Sequence, residues 1–320
     1  MQRRDFLAAF GATAATAMLA RLAHAAPEVT KLFVGATPGG GTDLVARSLA
    51  AELEQRRKQS FIVENRGGAG GNIAAMAVAK ADPDGSTLLL SYTSHAINPA
   101  LFDKKPFDPL KDFTPISLIA SSPLLLVSRP DLGVRNVREL IALAKSKPGK
   151  LSIAVAGVGS ANHLAGEMFK REAGIDIISV PYKGASPAVA DVVASQADLL
   201  LGNVATVQPL LQAGKIKGLG VSTVKRLDTF PDLAPIADVL PGFDYSSWYA
   251  LLGPAGMSPD LVAQLEKAVR ASVASPAMQK RLTHEGLVPV GSSAAEFNRF
   301  LQSEIARWAK VVALTGTRVS

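Results

Sequence analysis

The chain has 320 residues, of which 48% are apolar and 19% charged, with a formal net charge of +7. That length and balance allow about two packed domains of ~150 residues each and exclude a disordered chain. Aromatic residues, at 6%, are too sparse for the stacking platforms of a nucleic-acid binder, and the absence of cysteine excludes disulfides, thiolate catalysis and Cys–zinc sites.

Residues 1–26 read as an export signal. Arg3 and Arg4 open it, Asp5, Phe6 and Leu7 follow in twin-arginine fashion, and Ala23-His24-Ala25 offers a small-residue exit. Cleavage is expected after Ala25 or Ala26, by the twin-arginine or the Sec route. Losing Arg3, Arg4, Arg21 and Asp5 takes the formal charge from +7 to +5. The remaining basic residues are scattered apart from "RRK" at 56–58, as suits a solubility charge. No later segment offers ~20 uninterrupted apolar residues, so the exported chain is expected to be soluble and periplasmic.

From residue 30 onward, short apolar runs alternate with helical periodicity. The predicted strands are "KLFVG", "SFIVEN", "TLLLSY", "PLLLVSRP", "LSIAVAG", "DIISVPY", "ADLLLGN", "GLGVST" and "WYALLGP". Helices are predicted over 42–57, 71–81, 136–146, 160–173, 186–195, 204–213, 259–274 and 293–314. The alternation predicts an α/β protein with parallel sheets wrapped by helices. Asn136 with Glu139, and Ser293 with Glu296, have capping-box spacing. Pro259 and Pro276 stand where a helix starts. The connection 105–115 is Pro-rich, and 226–247 is the longest stretch of weak periodicity.

Two strand–loop–helix junctions suit an anion, because helix N-termini present unpaired N–H groups. The first is Pro38-Gly39-Gly40-Gly41-Thr42-Asp43. Its glycines let a ligand approach the backbone, and Gly41 stands where a nucleotide P-loop needs Lys. Asp43 either caps the helix and pairs with Arg47, turned away, or faces a positive group of the ligand. The second junction runs from Gly157 and Gly159 to Ser160, Ala161 and His163. Ser160 suits an N-cap or a hydroxyl donor to a ligand, and His163 shares its first-turn face. Ser94, in a hydroxyl-rich strand end that Asn98-Pro99 turns, and Asn203, at another helix start, are further candidates. So are Ser186 and Pro187. The carboxyl edge of such a sheet is where ligands bind.

Catalytic constellations are weak. Ser160 lacks a G-x-S-x-G elbow, and a Ser and a His on one helical turn rarely make a nucleophile–base pair. The four histidines show no metal spacing. An enzyme, a cofactor and a metal are not expected.

In order along the chain, "PGGGTDLVAR", "IVENRGGAGGNIAA", "ADPDGSTLLL", "NPALF", "PYKGASPA", "LQAGKIKGLGVST" and "EIARWAKVV" resemble the substrate-binding proteins of tripartite tricarboxylate transporters, the Bug family. The likeness spans about 30–315. It implies a two-lobed type II periplasmic-binding fold with two interlobe crossings. It also implies a small carboxylate ligand (mono-, di- or tricarboxylate, or an acidic amino acid) held between the lobes by backbone groups and ordered waters.

Binding roles then pass to Gly40, Gly41, Thr42, Ser160 and His163, with Asn203 and Ser94 lining the cleft. Lobe one is assigned 27–124 and 249–320, and lobe two 125–248, with Trp248 and Tyr249 at the hinge. Membrane transporter subunits are the implied partners of a monomeric receptor that binds no nucleic acid. A sensor partner or, less favoured, an exported serine hydrolase are the alternatives. The sequence departs from the family pattern at Ala36-Thr37 and at Tyr92 and His95, so no relative's substrate carries over.

Overall fold

The computed structural model describes residues 29–318. The export-signal reading of 1–26 lies outside these residues. The first half opens with strand β1 (Val29–Val34), helix α1 (Gly41–Arg57) and strand β2 (Ser60–Asn65), followed by α2 (Asn72–Ala79), β3 (Thr87–Tyr92) and α3 (Ser94–Leu101). β1 pairs in parallel with both β2 and β3. The buried positions of β3, Leu88 to Ser91, are consecutive, as expected of a strand covered on both faces.

Strand β4 (Phe113–Ser128) is longer than the predicted "PLLLVSRP" and joins the two halves. Its first part pairs with β9 (Ser246–Pro254) and with the short β10 (Val288–Pro289). Its last five residues pair with β7 (Leu199–Asn203) and β8 (Lys217–Val221). Between these lie α4 (Val137–Ser146), β5 (Ser152–Val155), α5 (Ala161–Ala173), β6 (Ile178–Pro181), α6 (Ala185–Val193) and α7 (Val204–Gln212). β6, β5 and β7 form the far part of the sheet, with β5 parallel to both neighbours. The chain returns along β9, which pairs with β3 and runs antiparallel beside β4. It ends in α8 (Pro259–Val273), α9 (Pro276–His284) and α10 (Ala294–Thr315).

Each half has its own apolar filling. Leu32, Leu49, Leu53, Leu88, Leu265 and Val269 pack α1 and α8 on the first sheet. Leu125, Val127, Val192, Leu200 and Val207 fill the second. A third cluster continues between the halves and is anchored by Phe169, Phe243, Trp248, Phe297 and Trp308. α10 buries Phe297, Leu301, Glu304, Trp308 and Val311 in a four-three spacing, one face of a helix.

The caps follow the sequence. Asn136 accepts from the Glu139 N–H, and Ser293 with Glu296 forms a reciprocal box. Pro259 and Pro276 stand at the first helical positions. Two helices lie outside the predicted set. α9 is one, although Pro276 marked its start. The other is α3, where Asn98 and Pro99 were expected to turn the chain. Instead the Asn98 side chain donates to Gly70 O (3.0 Å) and Asn72 Oδ1 (2.6 Å), which ties the helix to the neighbouring turn.

Candidate functional site

β1 ends at Val34 and the chain crosses Gly35 to Gly40 before α1 begins. A Cβ on Gly35 would lie 2.6 Å from Gly71 Cα, so these two backbones touch and only glycine fits. "RGGAGG" thereby brings the start of α2 against the first loop. The N-cap of α1 is Gly40, with no side-chain cap, so neither Thr42 nor Asp43 fills that place. Asp43, in the first turn and only 4% exposed, folds back. Its Oδ2 accepts from Gly39 N–H (3.0 Å) and from Arg47 Nε (3.0 Å). Burial pushes the Asp43 carboxyl up, but the bonds from Arg47 and Gly39 outweigh it and hold it below the usual carboxylate range. Of the two orientations open to Asp43, the structure adopts the one turned toward Arg47. Among the described residues no acceptor takes the N–H groups of Gly41, Thr42 or Asp43. The positive end of a 17-residue helix is therefore left open.

The second loop repeats the plan at the end of β5. Ser160 is the N-cap of α5; its Oγ accepts from His163 N–H (3.2 Å) and donates to Gly157 O (2.8 Å). The His163 ring turns back, and its Nδ1 accepts from Gly159 N–H at 3.0 Å. That bond assigns the ring proton to Nε2, which faces Glu167 Oε1 at 3.8 Å. Burial holds His163 below the ordinary histidine pKa, with Glu167 opposing, so the ring is neutral near pH 7. Ser160 and the His163 ring are thus not a nucleophile–base pair: each is occupied in shaping the loop. The N–H groups of Ala161 and Asn162 have no acceptor among the described residues.

A chain of packing contacts links the two loops. A Cβ on Gly159 would lie 2.7 Å from Leu101 Cδ2, so the second loop rests on the end of α3. α3 is tied through Asn98 to Gly70, and the Gly70-Gly71 turn abuts Gly35. Ser94 stands at the first position of α3. On the far side Asn203 precedes α7 without capping it, and its Oδ1 accepts from Asn162 Nδ2 (2.8 Å). Asn162, Ala185, Asn203 and Thr206 line a cavity of ≈ 180 Å³ there. Pro38 to Gly41, in the first loop, are exposed. Among the described residues no group of three acidic or histidine side chains could hold a metal.

Sequence reasoning missed the phenols beneath the first loop. Tyr92 and Tyr249 are register partners on β3 and β9. Tyr92 Oη donates to Gly35 O (3.2 Å), and a Cβ on Gly41 would lie 3.1 Å from Tyr249 Oη. A side chain at Gly41 would crowd that hydroxyl. Burial pushes Tyr249 up to about 12, with Thr42 opposing, and pushes Tyr92 up with Ser94 opposing. Both phenols are protonated near neutral pH. The sequence reading assigns Tyr249 to the interlobe crossing, and only the strand pairing places it beneath the first loop.

Two α/β halves joined by two long strands, with glycine-rich helix N-termini at the carboxyl ends of strands, define a type II periplasmic binding protein. The chain belongs to the tripartite tricarboxylate transporter receptor family: residues 45–316 match the model described as "Tripartite tricarboxylate transporter family receptor". Its members are periplasmic solute receptors, not an enzyme family. The chain is 34% identical to the protein BugT of Bordetella pertussis over 292 residues, 90% of each. Among solved structures, it is 37% identical to R. palustris Rpa4515 with adipate, with TM-score 0.80, covering 91% of this chain and 98% of that one. It is 33% identical to MatC of Rhodopseudomonas palustris with bound malate, with TM-score 0.76, covering 89% and 99%. Among the described residues no helix is long and apolar enough to cross a membrane.

Proposed function

We propose that this receptor binds a small dicarboxylate between lobes 27–124 with 249–320 and 125–248, and hands it to the membrane subunits of its transporter. The observation that carries the reading is the pair of open helix starts. Gly41, Thr42 and Asp43 on one side, and Ala161 and Asn162 on the other, offer unpaired N–H groups. Each set suits one carboxylate, and charge-assisted bonds give ~1.5–3 kcal/mol apiece without any arginine. Adipate and malate, the ligands named for two relatives, are both dicarboxylates. Asp43 turns its Oδ2 to Gly39 and Arg47, while its buried Oδ1 has no partner among the described residues, so acidic amino acids stay within the ligand panel. The ligand is held without turnover, since Ser160 and His163 are committed to their loop. The receptor acts as an exported monomer whose lobes close about the β4 and β9 crossings.

Alanine at Thr42 or at Ser160 is expected to leave the protein folded and to weaken dicarboxylate binding at least ~10-fold, about 1.4 kcal/mol each. Isothermal titration of the two variants checks it. Undiminished affinity in both would remove these two hydroxyls from the site.

A further inference from the structure

We infer that Tyr92 and Tyr249 are positioning residues that brace the two ends of the first anion loop. The inference rests on the dicarboxylate reading above. The loop runs from Gly35 to Gly41 with no side-chain cap at Gly40 to fix it. Each of its ends meets a phenol. At the strand end, Tyr92 Oη donates to Gly35 O (3.2 Å), and the ring abuts Gly71, where a Cβ would lie 3.0 Å from the same oxygen. At the helix end, Tyr249 Oη lies against Gly41, 3.1 Å from its absent Cβ, with the Thr42 hydroxyl as its polar neighbour. Tyr92 and Tyr249 are neighbours because they pair across β3 and β9. Both belong to rigid strands, and Tyr249 is only 7% exposed.

The consequence is preorganisation. A glycine-rich loop is costly to order, and a loop ordered before the ligand arrives does not charge that cost to binding. Tyr249 acts through Thr42 by fixing where its hydroxyl sits. It is placed at the interlobe crossing on β9, so the brace and the hinge share one strand.

A double-mutant cycle on adipate binding tests this. Tyr249→Phe removes one hydroxyl and keeps the ring. It is expected to weaken binding about 10-fold, or 1.4 kcal/mol, with the unliganded melting midpoint unchanged. Thr42→Val is expected to weaken binding similarly. The double variant should bind like Thr42→Val alone, because a residue acting through Thr42 has nothing left to position. Losses that multiply would mean that Tyr249 acts independently of Thr42, and would overturn the inference. So would wild-type affinity in Tyr249→Phe. Failure of the wild-type protein to bind adipate or shorter linear dicarboxylates would overturn the dicarboxylate reading itself, and the inference with it.

Discussion

Replacing Glu304 by alanine is expected to cost about 3–5 kcal/mol of stability, from buried donors left unpaired and the cavity left behind. Glu304 occupies a core position of α10 and is 2% exposed. One of its oxygens, Oε2, accepts from two indoles, Trp248 Nε1 and Trp308 Nε1, each at 2.9 Å. The other lies 3.4 Å from Arg307. Burial raises the Glu304 pKa, and Arg307 and the two indoles oppose it. Alanine would strand both indole N–H groups, at ~1–3 kcal/mol each, and open a cavity between them. Glutamine keeps an oxygen for the indoles but loses the charge, so it should cost only about 1–2 kcal/mol. Trp248 lies on β9, and its backbone N–H donates to Thr93 Oγ1 (2.8 Å). Glu304 thus fastens α10 to β9. Urea denaturation of both variants decides the point, and equal losses for alanine and glutamine would refute the indole account.

The second large effect is a loss of stability in acid. His95 is 4% exposed, stacked on Phe107 at 4.8 Å and edge-on to Phe113 at 4.7 Å. Nε2 lies 3.3 Å from Pro109 O, and Nδ1 has no partner among the described residues. Burial lowers its pKa to about 4, with the bond to Pro109 opposing. The unfolded chain takes up this proton near pH 6.5, whereas the folded chain resists until about pH 4. Stability from this group is therefore complete above pH 6.5, falls as pH drops through that window, and levels off below it. The total is about 3 kcal/mol, since one pKa unit is worth ~1.4 kcal/mol. Asp43 and Asp108 have lowered carboxyl pKa values, so they lose their stabilising charge at lower pH. His95→Phe, packed among the same rings, should flatten the melting midpoint between pH 7 and pH 4.5. An unaltered slope in that variant would show that other groups carry the acid response.

Much of the fold was legible because local signals agree with the tertiary structure. The nine apolar runs are all strands, and Ser293 with Glu296 caps where the spacing said. Two of the failures share a cause, which is that proline and asparagine were read as chain breakers. β4 begins at Phe113, inside a Pro-rich connection, because Pro115 sits beside a register shift that absorbs its missing N–H. α3 contains Pro99 and survives because Asn98 is held by Gly70 and Asn72, residues far off in sequence. The site was half legible. Glycine runs ahead of helical periodicity marked both loops, and Arg47 four residues after Asp43 suggested their pairing. The rest depends on pairing across strands. Nothing near Tyr249 in the sequence says that Tyr92 stands beside it, or that its hydroxyl lies under Gly41.

Isothermal titration of the purified protein, freed of co-purified ligand, tests the central claim most directly. The panel pairs malate, succinate and adipate with chain-matched monocarboxylates and aspartate. Two open helix starts predict saturable one-to-one binding of at least one dicarboxylate, with its monocarboxylate counterpart at least ~10-fold weaker, about 1.4 kcal/mol for a lost anionic end. Equal affinity for the monocarboxylate, or heat-silent mixing across the whole panel with no shift in melting midpoint, would contradict it.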